Sequence, residues 1–348
     1  MYFSAESSDD FSRPLVQKEK YFPGPALQLY LLQQNRTASL GFCYADLQDY
    51  RYTDSLKDDR GKHTHWERVV YHSDRISALH PRLVSAYFSL CEKAGIRIAD
   101  PGGLQITAID FCEYANSMPF RITLTDRSGK SDSFFVKQAD ASRIYGLELE
   151  HLLSHPDISF ICMGDTLVEQ EITGVFADTY LQGSGPLSQS EKRQAARAFV
   201  AFNLRCFVRL LGDMRSYNFV LQKSGEAQLF FRAIDFDQQT YEGNTALYFP
   251  HAYSENQTLV NWVQELLPED EIVSIEQDAI SAMRRSAAEH PARLLRLLEI
   301  ISSDEITEHY KFLQLRNGLV HYHRSDAFAQ CSTMGGLLRQ QLHHFGIC

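Results

Sequence analysis

Two short stretches of this 348-residue chain place carboxylates and amides where metal-assisted group transfer would want them. Asp213-Met-Arg-Ser-Tyr-Asn218 sets a carboxylate ahead of an amide, and Asp235-Phe-Asp237 sets two carboxylates either side of an aromatic ring. Phosphoryl transfer makes few covalent demands on a protein. It needs a cation on the phosphates, hard oxygen ligands for magnesium and an acceptor aimed at the nucleophile. The two stretches offer the oxygen donors, and Lys137, closing the run Phe134-Phe-Val-Lys137, offers a cation.

These residues need a scaffold, and the flanking sequence predicts one. Ser188-Gln-Ser-Glu191 is a capping box, and the run after it (Ala195, Ala198, Phe199, Phe202, Leu204, Phe207, Val208, Leu211) is apolar nearly all round, as in a buried helix. The helix ends at Gly212-Asp213, and a hairpin turning at Lys223-Ser-Gly225-Glu226 delivers Asp235. Upstream, residues 106–111, 120–125 and 133–137 read as an antiparallel meander: Phe120, Ile122 and Leu124 alternate with polar residues, and Asp126-Arg-Ser-Gly129 makes a turn. A helix over 141–154 and strands over 157–160 and 165–170 follow. Before the meander lie a loop at Phe22-Pro-Gly-Pro25, a short apolar segment from Leu27 to Leu32, and a helix from Pro81 that stops at Gly95. After Thr258 the chain reads as several helices, with a further capping box at Ser302-Ser-Asp-Glu305 and polar helix faces at Arg284-Arg285 and Arg293–Arg296.

Five strands with a helix after the third, then a buried helix, D-x-x-x-x-N, a hairpin and Ile-Asp-Phe, is the order of a protein-kinase-like chain. Gly212-Asp213-Met-Arg-Ser-Tyr-Asn218 is similar to the G-D-x-x-x-x-N of the atypical branches of that superfamily, namely lipid kinases, aminoglycoside phosphotransferases and bacterial toxin kinases. Ala233-Ile-Asp235-Phe resembles their apolar-I-D-[FW], and the resemblance spans roughly residues 104–240.

The resemblance implies an α+β, two-lobed protein-kinase-like fold: a small antiparallel-sheet lobe over 104–172, a mainly helical large lobe over 173–348, and an N-terminal extension of unclear fold over 1–103. It also implies ATP and Mg²⁺ as cofactors. Asp213 becomes the catalytic base, Asn218 and Asp235 the metal ligands with Asp237 an extra one, and Lys137 the partner of the α- and β-phosphates. Glu148 becomes the carboxylate beside Lys137, with Glu150 competing for that place. The loop from Cys112 to Met118 would lie over the phosphates through its amides, Asn116 and Ser117. Glu169, Gln170 and Glu171 would form a hinge offering main-chain groups to adenine. No glycine-rich loop and no His before Asp213 are present, and Asp237 stands where a glycine is usual, which leans the acceptor away from that of ordinary Ser/Thr kinases.

Each piece alone has an ordinary explanation. Asp235-Phe-Asp237 could be a turn, Lys137 a solvated strand-end cation and Glu148 a surface residue; it is the succession that argues for chemistry. His63, His65, Glu67 and His72, and His321, His323, His343 and His344, match no metal-ligand spacing and read as surface histidines. No G-x-S-x-G elbow supports hydrolase chemistry. A formal charge of −10 without clustered Lys and Arg argues against nucleic acid, and 44% hydrophobic with 22% charged residues fits a folded chain. The seven widely spaced cysteines sit mostly in apolar runs and read as reduced thiols, and no stretch approaches ~18 apolar residues. A cytoplasmic protein without membrane contact is expected. The sequence thus points to a nucleotide-dependent phosphotransferase with a hydroxyl acceptor; a nucleotide-binding pseudokinase and a kinase-fold AMP transferase are the alternatives.

Overall fold

The computed structural model describes residues 18–58, 61–98, 101–154, 157–183, 187–224 and 228–348, so the tip of the 223–226 hairpin and most of the Gly183–Pro186 loop lie outside the described residues. The architecture is α+β: a seven-stranded antiparallel sheet and a mainly helical part. The chain groups into two units, a sheet unit of Lys20–Ala141 with Asp157–Ile172, and a helical unit of Ser142–Pro156 and Thr173–Cys348 with residues 18 and 19. Among the described residues no helix is long and apolar enough to cross a membrane.

In the sheet unit Pro25 starts α1 (Pro25–Gln33), and α2 (Tyr44–Gln48) follows, leading into the hairpin β1 (Tyr52–Lys57) and β2 (His63–Val70). Then come α3 (Ser73–Lys93), β3 (Gln105–Phe111), β4 (Phe120–Thr125) and β5 (Ser131–Gln138), and finally β6 (Phe160–Met163) and β7 (Thr166–Gln170). The strand order is β1-β2-β3-β4-β5-β7-β6. Cross-strand partners share a face, so the sheet has two chemistries. One face gathers Ile109, Phe111, Phe120, Ile122, Leu124, Phe134, Val136, Ile161 and Val168, which bury against Leu79, Leu83, Ala86 and Leu90 of α3. The other carries charge: Asp110, 2% exposed, is held by Arg68 at 2.5 Å and Arg121 at 2.8 Å.

Three expectations shift here. Residues 20–98, read as part of an extension of unclear fold, supply β1, β2 and α3 to this one sheet and its core. β1 and β2 escape a periodicity reading because most of their residues are exposed or half-buried on both faces. Helix α3 begins at Ser73 with Pro81 inside it, since a proline there removes one backbone donor but leaves the buried stripe of Leu79, Leu83 and Ala86 intact. β6 runs past Phe160 to Met163, where Gly164 turns the chain at φ +61°.

The helical unit opens with α4 (Ala141–Leu153), which groups with this unit from Ser142 onward. It continues through β8 (Val175–Phe176), α5 (Ala177–Gln182) and α6 (Gln189–Val208), capped as expected by Ser188, whose Oγ accepts from Glu191 N at 3.3 Å. The hairpin β9 (Phe219–Ser224) and β10 (Gln228–Ala233) follows, then α7 (Gln257–Leu266), α8 (Glu269–Glu289), α9 (Pro291–Ile301), α10 (His309–His323) and α11 (Met334–His344). The Phe202 ring of α6 lies tilted, 4.7 Å from that of Phe219, and Phe219 meets Phe231 edge-on at 5.2 Å, so the hairpin is seated on the buried helix. The capping box expected at Ser302–Glu305 does not form: Ser302 ends α9 with its Oγ bonded back to Leu298 O at 2.6 Å, and α10 starts only at His309.

Candidate active site

Asn218 precedes β9 and Asp235 follows β10, so both lie at the root of the same hairpin. Pairing of Phe219 with Ala233 puts Asn218 opposite Ile234, and Ile234 N donates to Asn218 O at 3.0 Å, so Asp235 follows one residue past the partner of Asn218. Asn218 also reaches back along the chain. Its Nδ2 donates to the main-chain oxygen of Asp213 at 2.8 Å and lies 3.5 Å from Asp213 Oδ2. Because the amide nitrogen faces Asp213, the Oδ1 on the other limb of the amide is directed away from it.

Asp213 sits after α6 in a left-handed conformation, φ +57°, that few non-glycine residues adopt without a reason. The reason is visible in its contacts. Leu211 bridges to Gln239, Gly212 N donates to Gln238 O at 3.1 Å, and Asp213 N donates to Tyr253 Oη at 2.9 Å. Tyr253 Oη in turn donates to Leu247 O at 2.8 Å. The carboxylate is 14% exposed and accepts from Arg215 Nε at 2.9 Å, while Arg215 reaches Glu255 at 2.5 Å and lies over the Tyr253 ring. Burial pushes the Asp213 carboxyl up to about 7, with Arg215 opposing and the charges of Asp235 and Glu242 adding to it. A carboxylate titrating near neutrality is suited to accept a proton.

Asp235 and Asp237 are joined by a cation the sequence reading passes over. Arg143, 1% exposed on α4, places Nη1 2.9 Å from Asp235 Oδ1 and 2.9 Å from Asp237 Oδ1. Asp237 N also donates to Asp235 Oδ1 at 3.0 Å. Ser142 Oγ donates to Asp237 O and Gln239 O at 3.1 and 2.6 Å, and Gly146 lies so close that a Cβ there would stand 2.8 Å from Phe236 Cβ. The first two turns of α4 are thus clamped to the Asp235–Gln239 segment. The only sequence sign of this was an Arg two residues into a helix, with a glycine three further on.

The donor set suits magnesium at two of the three expected positions. Asn218 and Asp235 are hard oxygen donors, and the Asp235 side chain is 31% exposed. Asp237 does not fit: its side chain is 4% exposed and its Oδ1 is taken by Arg143. Among the described residues no three His, Cys, Asp or Glu side chains form a metal-binding group.

Glu148, against its surface reading, and Glu150 are both buried, and both are held by arginines of their own unit. Glu148 takes a two-oxygen contact from Arg293 Nη2 at 2.8 and 2.6 Å, which moves Arg293 from a polar helix face to a buried ion pair. Glu150 pairs with Arg209, itself 2% exposed.

In the sheet unit Lys137 is 6% exposed, so it is no solvated strand-end cation. Its Nζ is 2.8 Å from Glu169 Oε2 on the neighbouring strand β7 and 5.2 Å from the Phe135 ring centroid. Glu169 therefore contributes a side chain where a main chain was expected. Residues 169 and 170 lie inside β7 between β5 and β6, with Gln170 N bonded to Ser159 O at 3.1 Å, so Glu171, beyond the strand, is the one of the three outside the ladder. Burial raises the Glu171 carboxyl, with Arg121 opposing. The loop between β3 and β4 is closed by Cys112 N donating to Pro119 O at 3.1 Å; Ser117 is buried in it and Asn116 half-buried. All seven cysteines are free thiols, four of them buried.

No protein-family profile matches this chain, and no curated protein matches it.

Proposed function

We propose that the chain is an ATP- and Mg²⁺-dependent phosphotransferase of the two-lobed, kinase-like type, acting on a hydroxyl acceptor. The observation that carries this reading is the contact between Asn218 and Asp213: the amide of Asn218 is spent on Asp213, its oxygen faces away, and Asp235 follows one residue past the partner of Asn218 at the hairpin root. The run β3-β4-β5-β7-β6 with α4 following β5 supports the kinase-like assignment.

In this reading Asp213, poised near neutrality, takes the proton of the acceptor hydroxyl, and Arg215 with Tyr253 fixes where its carboxylate lies. Asn218 and Asp235 would hold the magnesium, which when bound neutralises charge on the phosphate oxygens. Lys137 keeps the role of phosphate partner, its charge shared beforehand with Glu169. Asn116, Ser117 and Glu171 remain as contacts for the nucleotide.

Asp213→Ala is expected to abolish phosphate transfer while leaving the ATP- and Mg²⁺-dependent thermal shift in place; Asp235→Ala is expected to lose both. Wild-type transfer rates in both variants would refute the assignment. The hold of Arg143 on Asp235 favours one other outcome, nucleotide binding without transfer, which would appear as a thermal shift with no turnover. Mass spectrometry of the acceptor separates phosphate from AMP as the group moved.

A further inference from the structure

A cavity of about 790 Å³ opens within the helical unit, walled among the described residues by α6, α8, the end of α4 and the start of β10. That volume suits a small organic molecule, and none of the residues placed in the candidate active site lines it. Most of the wall is apolar, with Leu229, Ile275 and Met283 set among alanines of the two helices. Its charges do not balance: Arg197, Arg205 and Arg285 face one carboxylate, Asp278. Arg197 is paired with Glu271, but no carboxylate of the described residues forms an ion pair with Arg205. Arg205 is half-buried and donates from Nη2 to Phe231 O at 2.7 Å, while Glu150, the carboxylate that pulls on it, is taken by Arg209. A cation withdrawn from water without a counter-ion is costly, and burial lowers the Arg205 guanidinium from its ordinary value. On the same wall Ser154 Oγ is buried without a hydrogen-bond partner, so it can still take a bond from within the cavity.

We propose that this cavity is a second binding site, for an anionic amphiphile: a carboxylate or phosphate head countered by Arg205, on an apolar chain laid against Leu229, Ile275 and Met283. A guanidinium offers its fork of N–H donors to either head, and the bond to Phe231 O holds that fork in place. The site stands apart from the phosphotransferase reading and does not depend on it.

The test is isothermal titration calorimetry on the full chain with decanoate, decyl phosphate, octanoate and the neutral decanol. The tighter of the two ten-carbon anions, which names the head, should bind at least about tenfold more tightly than decanol, because a charge-assisted bond to the guanidinium is added to the same chain. Decanoate should bind about tenfold more tightly than octanoate, since each buried methylene multiplies affinity about fourfold. Arg205→Met keeps the apolar stem and removes the charge; it should weaken the anions by about tenfold or more and leave decanol within about threefold. Ala282 is an exposed position on the cavity wall, and Ala282→Trp, which fills the space, should weaken all four ligands by about tenfold or more. The proposal is overturned if neither ten-carbon anion binds, if decanol binds as tightly as they do, if octanoate matches decanoate, if Arg205→Met weakens decanol as much as the anions, or if Ala282→Trp leaves the anions unaffected. Should Arg205→Met not fold, the contrast between anion and decanol in the wild type, together with Ala282→Trp, decides.

Discussion

Replacing Asp213 by asparagine should remove activity and, at neutral pH, gain stability. Burial lifts the Asp213 carboxyl from 3.8 to about 7. The folded chain therefore holds this proton more tightly than the unfolded chain does. For a group raised on folding, the stabilising contribution is complete below the unfolded value, near pH 4, and is lost as pH rises through about 7. Each unit is worth about 1.4 kcal/mol, so between pH 5 and pH 8 this one carboxyl should cost the wild type about 3 kcal/mol. At 14% exposure the side chain is screened too little for that figure to be discounted heavily. Asparagine does not titrate, and it still offers Arg215 an oxygen; the pull of Arg215 on the ionised carboxylate is already contained in the raised value. Urea unfolding should be followed by Trp262 fluorescence in a Trp66→Phe background, so that the signal comes from the helical unit alone. The stability of Asp213→Asn relative to wild type should rise by about 3 kcal/mol from pH 5 to pH 8. A difference that stays constant across that range would mean an ordinary, solvated carboxylate, and the argument that Asp213 is poised as a base would fail.

Gly146→Ala should destabilise the helical unit by about 1–3 kcal/mol, because the new methyl would stand 2.8 Å from Phe236 Cβ and 3.2 Å from Gln239 Cβ; the denaturation midpoint reports it. Lys137→Met and Glu169→Ala should each cost about 3–5 kcal/mol by breaking a buried ion pair, and a double-mutant cycle in urea measures the coupling between the two. Ser188→Ala should cost about 1 kcal/mol through the lost cap on α6, with Ser188→Gly nearer neutral, as read by thermal unfolding.

What the sequence made legible is what local chemistry dictates. The meander, the Ser188 box, the buried α6 and the hairpin between Asn218 and Asp235 all follow from alternation, capping and turn residues, with no distant partner required. What stayed hidden depends on contacts between residues far apart in the chain. Arg293 looks solvated until α9 is set against Glu148, and Arg143 looks like any helix arginine until the segment after the hairpin brings it two aspartates. Glu169 shows the same limit from another side: read along the chain it is one of three polar residues after Val168, and only the pairing of β5 with β7 turns its carboxylate toward Lys137.

The absence of a side chain at Gly146 has a mechanical meaning. With no cushion between that turn of α4 and Phe236, and with Ser142 and Arg143 gripping the same loop on either flank, the helix and the Asp235 carboxylate form a lever without backlash. Arg293 of α9 and Arg209 just past α6 grip Glu148 and Glu150 of that same helix, so the helix that carries Arg143 is held from three sides.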